Sequence, residues 1–216
     1  MTEQNRKLKV AILFGGRSGE HEVSLMSAAS VLSVIDRERY EVIEIGITHS
    51  GAWLTGKDVL KAFNDGKTQA LTQISLLPDP TRPGLLLHVP GDVEQHLEVD
   101  VFFPVLHGTF GEDGTLQGLF ELADVAYVGA NVVSSAVGMD KAIFKSVMQA
   151  NNIPVVDSML VTRNEIRADM NDVVARVHAF GKYPLFIKPA NLGSSVGITK
   201  CHSRADVGEG LREAAR

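Results

Sequence analysis

The chain has 216 residues, 44% of them hydrophobic and 22% charged, with a formal net charge of −5. That length can bury a sizeable core as one large domain or two modest ones, and the composition is ordinary for a globular chain. The acidic balance excludes a broad electrostatic grip on nucleic acid, and the single cysteine, Cys201, excludes an intrachain disulfide or a multi-cysteine metal cluster. No apolar run reaches the length of a signal-peptide core or a membrane span, so a cytoplasmic location is expected.

Residues 8–14 are an apolar run closed by Gly15 and Gly16, which predicts a buried parallel strand and a turn. Val23, Met26, Val31, Val34 and Ile35 predict a helix over 22–35 buried on one face, and the Ile- and Val-rich alternation at 40–48 predicts a second strand. Strand, helix and strand in this order form a βαβ unit with a right-handed crossover. The stretch 50–98 is punctuated by Gly, Pro and Asp, and its LLLHV run at 85–89 reads as a strand of a peripheral insertion. A further buried strand is predicted at 100–106, a polar glycine-rich loop at 107–114 and a helix at 115–123. Beyond Gly129 the pattern predicts a helix at 140–151 capped by Asp140, a strand at 153–161, a helix at 171–180, strands at 184–188 and 196–200, and a helix from Ser203. There is no internal repeat and no low-complexity segment.

Four segments carry chemistry. YPLFIKPANLGSSVGITK at 183–200 sets Lys188 at a strand end, then a Gly-Ser-Ser-Val-Gly turn, then another strand. Backbone N–H groups and the hydroxyls of Ser194 and Ser195 suit an anion site, with Lys188 supplying charge. A P-loop would run into a helix, so this loop is expected to be the tip of a hairpin. A plain hairpin with an exposed lysine is the alternative. FGGRSGEHEVS at 14–24 brings Glu20 and Glu22 to a helix start after a strand, where open α/β sheets bind ligands. Helix capping and an ammonium anchor both fit those acids. HGTFGEDGTL at 107–116 is a polar loop at a strand end, a usual place for function. His107, Glu112 and Asp113 have no recognised metal-ligand spacing. Lys141, in the first turn of a helix, opposes the helix dipole and fits either a ligand or a solvated surface. One decoy is GAWLTGKD at 51–58, which has Walker A spacing until Asp58 replaces the magnesium-binding hydroxyl, and it reads as a turn before a helix.

Taken together, FGGRSGEHEVSL, PVLHGTFGEDGTLQG, YVGANVVSSAVGMDK and PLFIKPANLGSSVG resemble, in order and composition, the D-alanine–D-alanine ligases of the ATP-grasp superfamily, over residues 9–200. The resemblance implies an α/β fold with a mainly parallel sheet in a Rossmann-like preATP-grasp domain at 1–129, then a first ATP-grasp subdomain at 130–216, cut short. It implies ATP-dependent joining of two D-alanines through an acyl phosphate, for peptidoglycan precursors. Glu22 and Ser194 would be the catalytic pair, with Glu22 holding the ammonium of the first D-alanine and His107 close to that substrate. Lys141, Lys188, Gly193, Ser194 and Ser195 would bind ATP. Mg2+ or Mn2+ would be required, with its ligands beyond this chain, and a homodimer is the family expectation. The expected second subdomain is not in the sequence, so the chain is expected to be an amino-terminal portion, inactive alone. Two rivals share these motifs: a D-alanine–D-lactate ligase and a non-catalytic substrate-binding module. An NAD-binding domain is disfavoured, because the GxGxxG fingerprint is missing.

Overall fold

The computed structural model describes residues 6–89, 91, 95–193 and 196–216. The chain divides into two compact units between Ala136 and Val137.

The first unit is built around Leu8–Gly15 (β1), in which every residue from Val10 onward is buried. Because successive strand side chains point to opposite faces, such a run has to be covered on both sides. Ala11 and Leu13 join Ile43, Ile45, Ile47, Phe102 and Phe120 on one face, while Val10, Ile12 and Phe14 pack with Leu25, Ala28 and Val59 on the other. The helix His21–Val34 (α1) follows β1, and Tyr40–Ile47 (β2) pairs parallel with it, completing the predicted βαβ unit.

Among the described residues the sheet has seven strands, in the order Gln95–Leu97 (β6), Leu85–His88 (β5), Thr72–Leu76 (β4), Trp53–Thr55 (β3), β2, β1 and Val101–Pro104 (β7). The region of the predicted insertion supplies β3, β4, β5 and β6. β7 is parallel to β1. The expected mainly parallel sheet is therefore confined to β2-β1-β7. The strands β3 to β6 run antiparallel to their neighbours, and the helix Val59–Asn64 lies between β3 and β4. The supposed insertion is thus a continuous wing of the main sheet. The Walker-like segment contains β3 and ends with Asp58 as N-cap of Val59–Asn64 (α2), a turn before a helix as its chemistry predicts. Glu44 of β2 accepts a hydrogen bond from the Leu60 N–H at the start of that helix. Thr115–Leu122 (α3) follows the glycine-rich loop, and Val132–Met139 (α4), not anticipated from the sequence, spans the division between units.

The second unit contains Lys141–Ala150 (α5), Arg163–Ala168 (α6), Met170–Phe180 (α7), the antiparallel pair Leu185–Ile187 (β8) and Thr199–Cys201 (β9), and Arg204–Ala214 (α8). Its core is Val173, Val177, Cys201, Val207 and Leu211. Cys201 is fully buried, and burial pushes its thiol pKa up, consistent with a packing role. The strand predicted at 153–161 does not form. Its alternation is real, since Met159 and Val161 pack on the core while Leu160 is 62% exposed. No described strand pairs with it, however, and the Val156 carbonyl accepts from the Lys145 ammonium instead. An alternating segment without a ladder partner remains extended chain. The strand predicted from 196 begins only at Thr199.

Candidate functional site

In the first unit the carboxyl ends of β1, β2 and β7 meet around a pocket of about 240 Å³. Gly16, Arg17, Trp53, His107 and Phe110 are among its lining residues, and the Arg17 guanidinium lies 4.4 Å from the centre of the Phe110 ring. This is the sheet edge where open α/β folds place ligands. Trp53 and Arg17 were not singled out in the sequence. Trp53 sits inside the dismissed Walker-like string, and no local spacing signals its approach to the ends of β1 and β7.

Three serines tie this edge together. Ser24 of α1 is fully buried, accepts from the Gly15 N–H at 2.8 Å and donates to the Val105 carbonyl at 2.5 Å. Ser18 donates to the His107 carbonyl, and the Ser27 hydroxyl lies 2.9 Å from Nε2 of His107. The turn after β1 is also braced by His21, whose Nδ1 is 2.7 Å from the Gly16 carbonyl.

The two acids at the helix start have different environments. Glu22 is 72% exposed, and its carboxylate is 3.4 Å from Nε2 of His49, a ring stacked on His21 at 3.8 Å. Glu20 is buried, with 6% exposure, and its carboxylate lies so close to the Gly108 α-carbon that a Cβ there would stand 2.3 Å from Oε2. The buried carboxylate beside the His107–Gly108 loop is therefore Glu20. The resemblance assigns the ammonium anchor to Glu22; both acids lie near the helix start, and the path of the turn gives them different environments.

The acids of the 107–116 loop hold the loop itself. Glu112 accepts from the Gly108 N–H, and Asp113 accepts from the Phe110 and Thr115 N–H groups. Burial opposes ionisation of Asp113, yet those N–H donors prevail and hold its carboxyl below the usual range. Among the described residues no group of three or more His, Cys, Asp or Glu side chains is arranged to hold a metal ion.

In the second unit the anticipated hairpin is present, with Phe186 opposite Lys200 in the β8–β9 register. Lys188 follows β8 directly, and its ammonium is 5.8 Å from the Phe186 ring centre. Lys141 opens α5, with Asp140 capping the helix through the Ala142 and Ile143 N–H groups. The Lys141 ammonium donates to the carbonyls of Ala190 and Leu192, on the segment leading to Gly193. Burial lowers its pKa, the nearby charge of Lys188 lowers it further, and Asp140 opposes both. Two lysines 47 positions apart are thus brought beside one loop. The Val196 N–H bonds back to the Gly193 carbonyl. Ser194 and Ser195, expected to act here, lie outside the described residues.

A pocket at a sheet edge, joined in sequence to a lysine-bearing hairpin, defines an α/β protein of the ATP-grasp type. The family profile described as D-ala D-ala ligase N-terminus matches residues 9–130, and the one described as D-ala D-ala ligase C-terminus matches 147–216. The chain belongs to the D-alanine–D-alanine ligase family. It is 44% identical to a D-alanine–D-alanine ligase of Natranaerobius thermophilus over 98% of this chain and 58% of that protein. With one from Heliobacterium modesticaldum the identity is 46%, over 97% and 57%. Among solved structures, the VanG D-Ala:D-Ser ligase of Enterococcus faecalis superposes with a TM-score of 0.81 at 36% identity, covering 97% of this chain and 60% of that one. The D-alanine–D-alanine ligase of Coxiella burnetii gives 0.79 at 32% identity, over 96% and 58%. The chain therefore spans somewhat under two thirds of the relatives it matches. No described helix is long and apolar enough to cross a membrane.

Proposed function

We propose that this chain supplies the amino-acid and phosphate contacts of an ATP-dependent ligase that joins two D-alanines into D-alanyl-D-alanine for peptidoglycan precursors. The carrying observation is that the Lys141 ammonium is held on the Ala190 and Leu192 carbonyls, a few residues past Lys188 at the end of β8 and on the segment leading to Gly193. Two cations held together favour a polyanion, and a triphosphate answers that need. In this reading 1–129 is the preATP-grasp domain and 130–216 belongs to the first ATP-grasp subdomain. Lys141, Lys188, Gly193, Ser194 and Ser195 would contact the phosphates, and magnesium, when bound, would offset part of the remaining phosphate charge.

His107 lies beside the first D-alanine. For its ammonium the geometry favours Glu20 over Glu22, because a buried carboxylate attracts a cation through a lower dielectric than an exposed one. The first D-alanine carboxylate takes the γ-phosphoryl group of ATP to become an acyl phosphate, with ADP as the leaving group. The amine of the second attacks the acyl carbon, and phosphate leaves. Positioning and charge compensation carry such chemistry, which is the work lysines and backbone N–H groups do. A cytoplasmic location and a homodimer belong to the same reading. The 36% identity to VanG supports a second one, in which D-serine replaces the second D-alanine; D-lactate is the analogous variant.

Calorimetric titration of the chain with Mg-ATP and with D-alanine tests the assignment. Lys141→Ala and Lys188→Ala are each expected to weaken ATP by about 1 kcal/mol, roughly fivefold, since the contacts are partly solvated. D-alanine binding should be unchanged in both. ATP affinity indifferent to both substitutions would remove the basis of the proposal.

A further inference from the structure

The His107 ring is bonded at one nitrogen to a hydroxyl from another element. Ser27 stands on α1, half-buried, with Oγ 2.9 Å from Nε2. Other serines of this helix turn back on their own backbone: Ser30 donates to the Met26 carbonyl and Ser33 to that of Ser30. Ser27 makes no such bond among the described contacts, and Ser24, one turn earlier, likewise reaches across to the Val105 carbonyl at the end of β7. Ser18 meanwhile donates to the His107 carbonyl. Both the backbone and the ring of His107 are thus held from the α1 side.

A neutral imidazole has one N–H donor and one bare acceptor nitrogen. If Nε2 carried the proton, the Ser27 hydroxyl would accept it and need another acceptor for its own hydrogen, and none is found among the described residues. With Ser27 donating, Nε2 is bare and the ring proton sits on Nδ1. We propose that Ser27 is a positioning residue that holds His107 as the Nδ1–H tautomer, giving the pocket a fixed N–H donor suited to an amino-acid carboxylate. The choice of ligand rests on the D-alanine reading of this unit; the tautomer does not.

The test uses the 216-residue chain with 15N-labelled histidine, observed by long-range proton–nitrogen correlation above the imidazole titration range. His107 is expected as the Nδ1–H form. Ser27→Ala, which favours the helix and so should leave the fold intact, is expected to move the ring toward Nε2–H, and Ser27→Thr to restore Nδ1–H. Followed in the same spectra, D-alanine should bind about fivefold more weakly to Ser27→Ala, the scale of one lost hydrogen bond, and near normally to Ser27→Thr. An Nε2–H ring in the unsubstituted chain, or a tautomer unmoved by Ser27→Ala, overturns the proposal. A ring that responds as expected in a chain showing no D-alanine saturation supports the positioning role and overturns the D-alanine reading.

Discussion

At the residue scale, the same side-chain chemistry has different value according to its surroundings. Glu20→Gln is expected to cost D-alanine binding about 1.5–3 kcal/mol, the range for a charge-assisted hydrogen bond, while Glu22→Gln costs less than about 1 kcal/mol because its carboxylate is exposed. Titrating each variant separately with D-alanine and Mg-ATP checks this; a larger D-alanine loss from Glu22→Gln would return the anchor to that residue. Asp100 offers a pH test. Its carboxylate receives two bonds from the Arg6 guanidinium and one from the Lys9 N–H, which hold its pKa at about 2 instead of 3.8. A depressed acid stabilises the fold above its unfolded pKa, and that contribution is lost as pH falls through the folded value. Acid unfolding should therefore lose a component between about pH 4 and pH 2 in Asp100→Asn relative to the unsubstituted chain, read from melts across that range. Asp113, also depressed, loses its support in the same direction.

At the element scale, the site depends on how strands end. Gly15 has φ +87°, and a Cβ there would stand 2.4 Å from the Ile47 carbonyl and 2.9 Å from the His21 ring. Gly15→Ala is expected to destabilise the first unit by about 1–3 kcal/mol, from the backbone strain alone, and to displace the turn leading to Glu20. Chemical denaturation gives the first effect and loss of D-alanine binding the second. Asp140 does the corresponding work for α5: its carboxylate caps two N–H groups, accepts from Asn191, and precedes Lys141 in sequence. Asp140→Ala should cost about 1 kcal/mol in the second unit. It should also weaken ATP, because it frees the helix end that aims the lysine. A variant with normal ATP affinity would separate the cap from the site.

At the scale of the whole molecule, the two units differ in how much apolar surface they bury. The first has a core on each face of its sheet, whereas the second has one small cluster and leaves Ile143, Phe144, Val156, Leu160 and Phe186 between 41% and 80% exposed. Opening free energy follows buried contact, so amide exchange should be slowest in β1, β2 and β7 and much faster in β8 and β9. Equal protection in both would contradict that view.

The sequence by itself determined the βαβ core, the glycine-rich ends of its strands, the Asp140 cap and the hairpin carrying Lys188. All of these are local: periodicity, capping and turn chemistry act over a few residues, and β1 must be buried whatever surrounds it. The four motif strings made the family legible for the same reason. Tertiary structure alone decided what depends on residues distant in the chain. It joined β3–β6 to the main sheet and left 153–161 without a partner, because pairing depends on which strand lies alongside. It buried Glu20 beside Gly108 while turning Glu22 toward His49. It also set Ser27 against His107 across 80 positions, a contact that no spacing announces, since a hydrogen bond is fixed by distance in space and not along the chain.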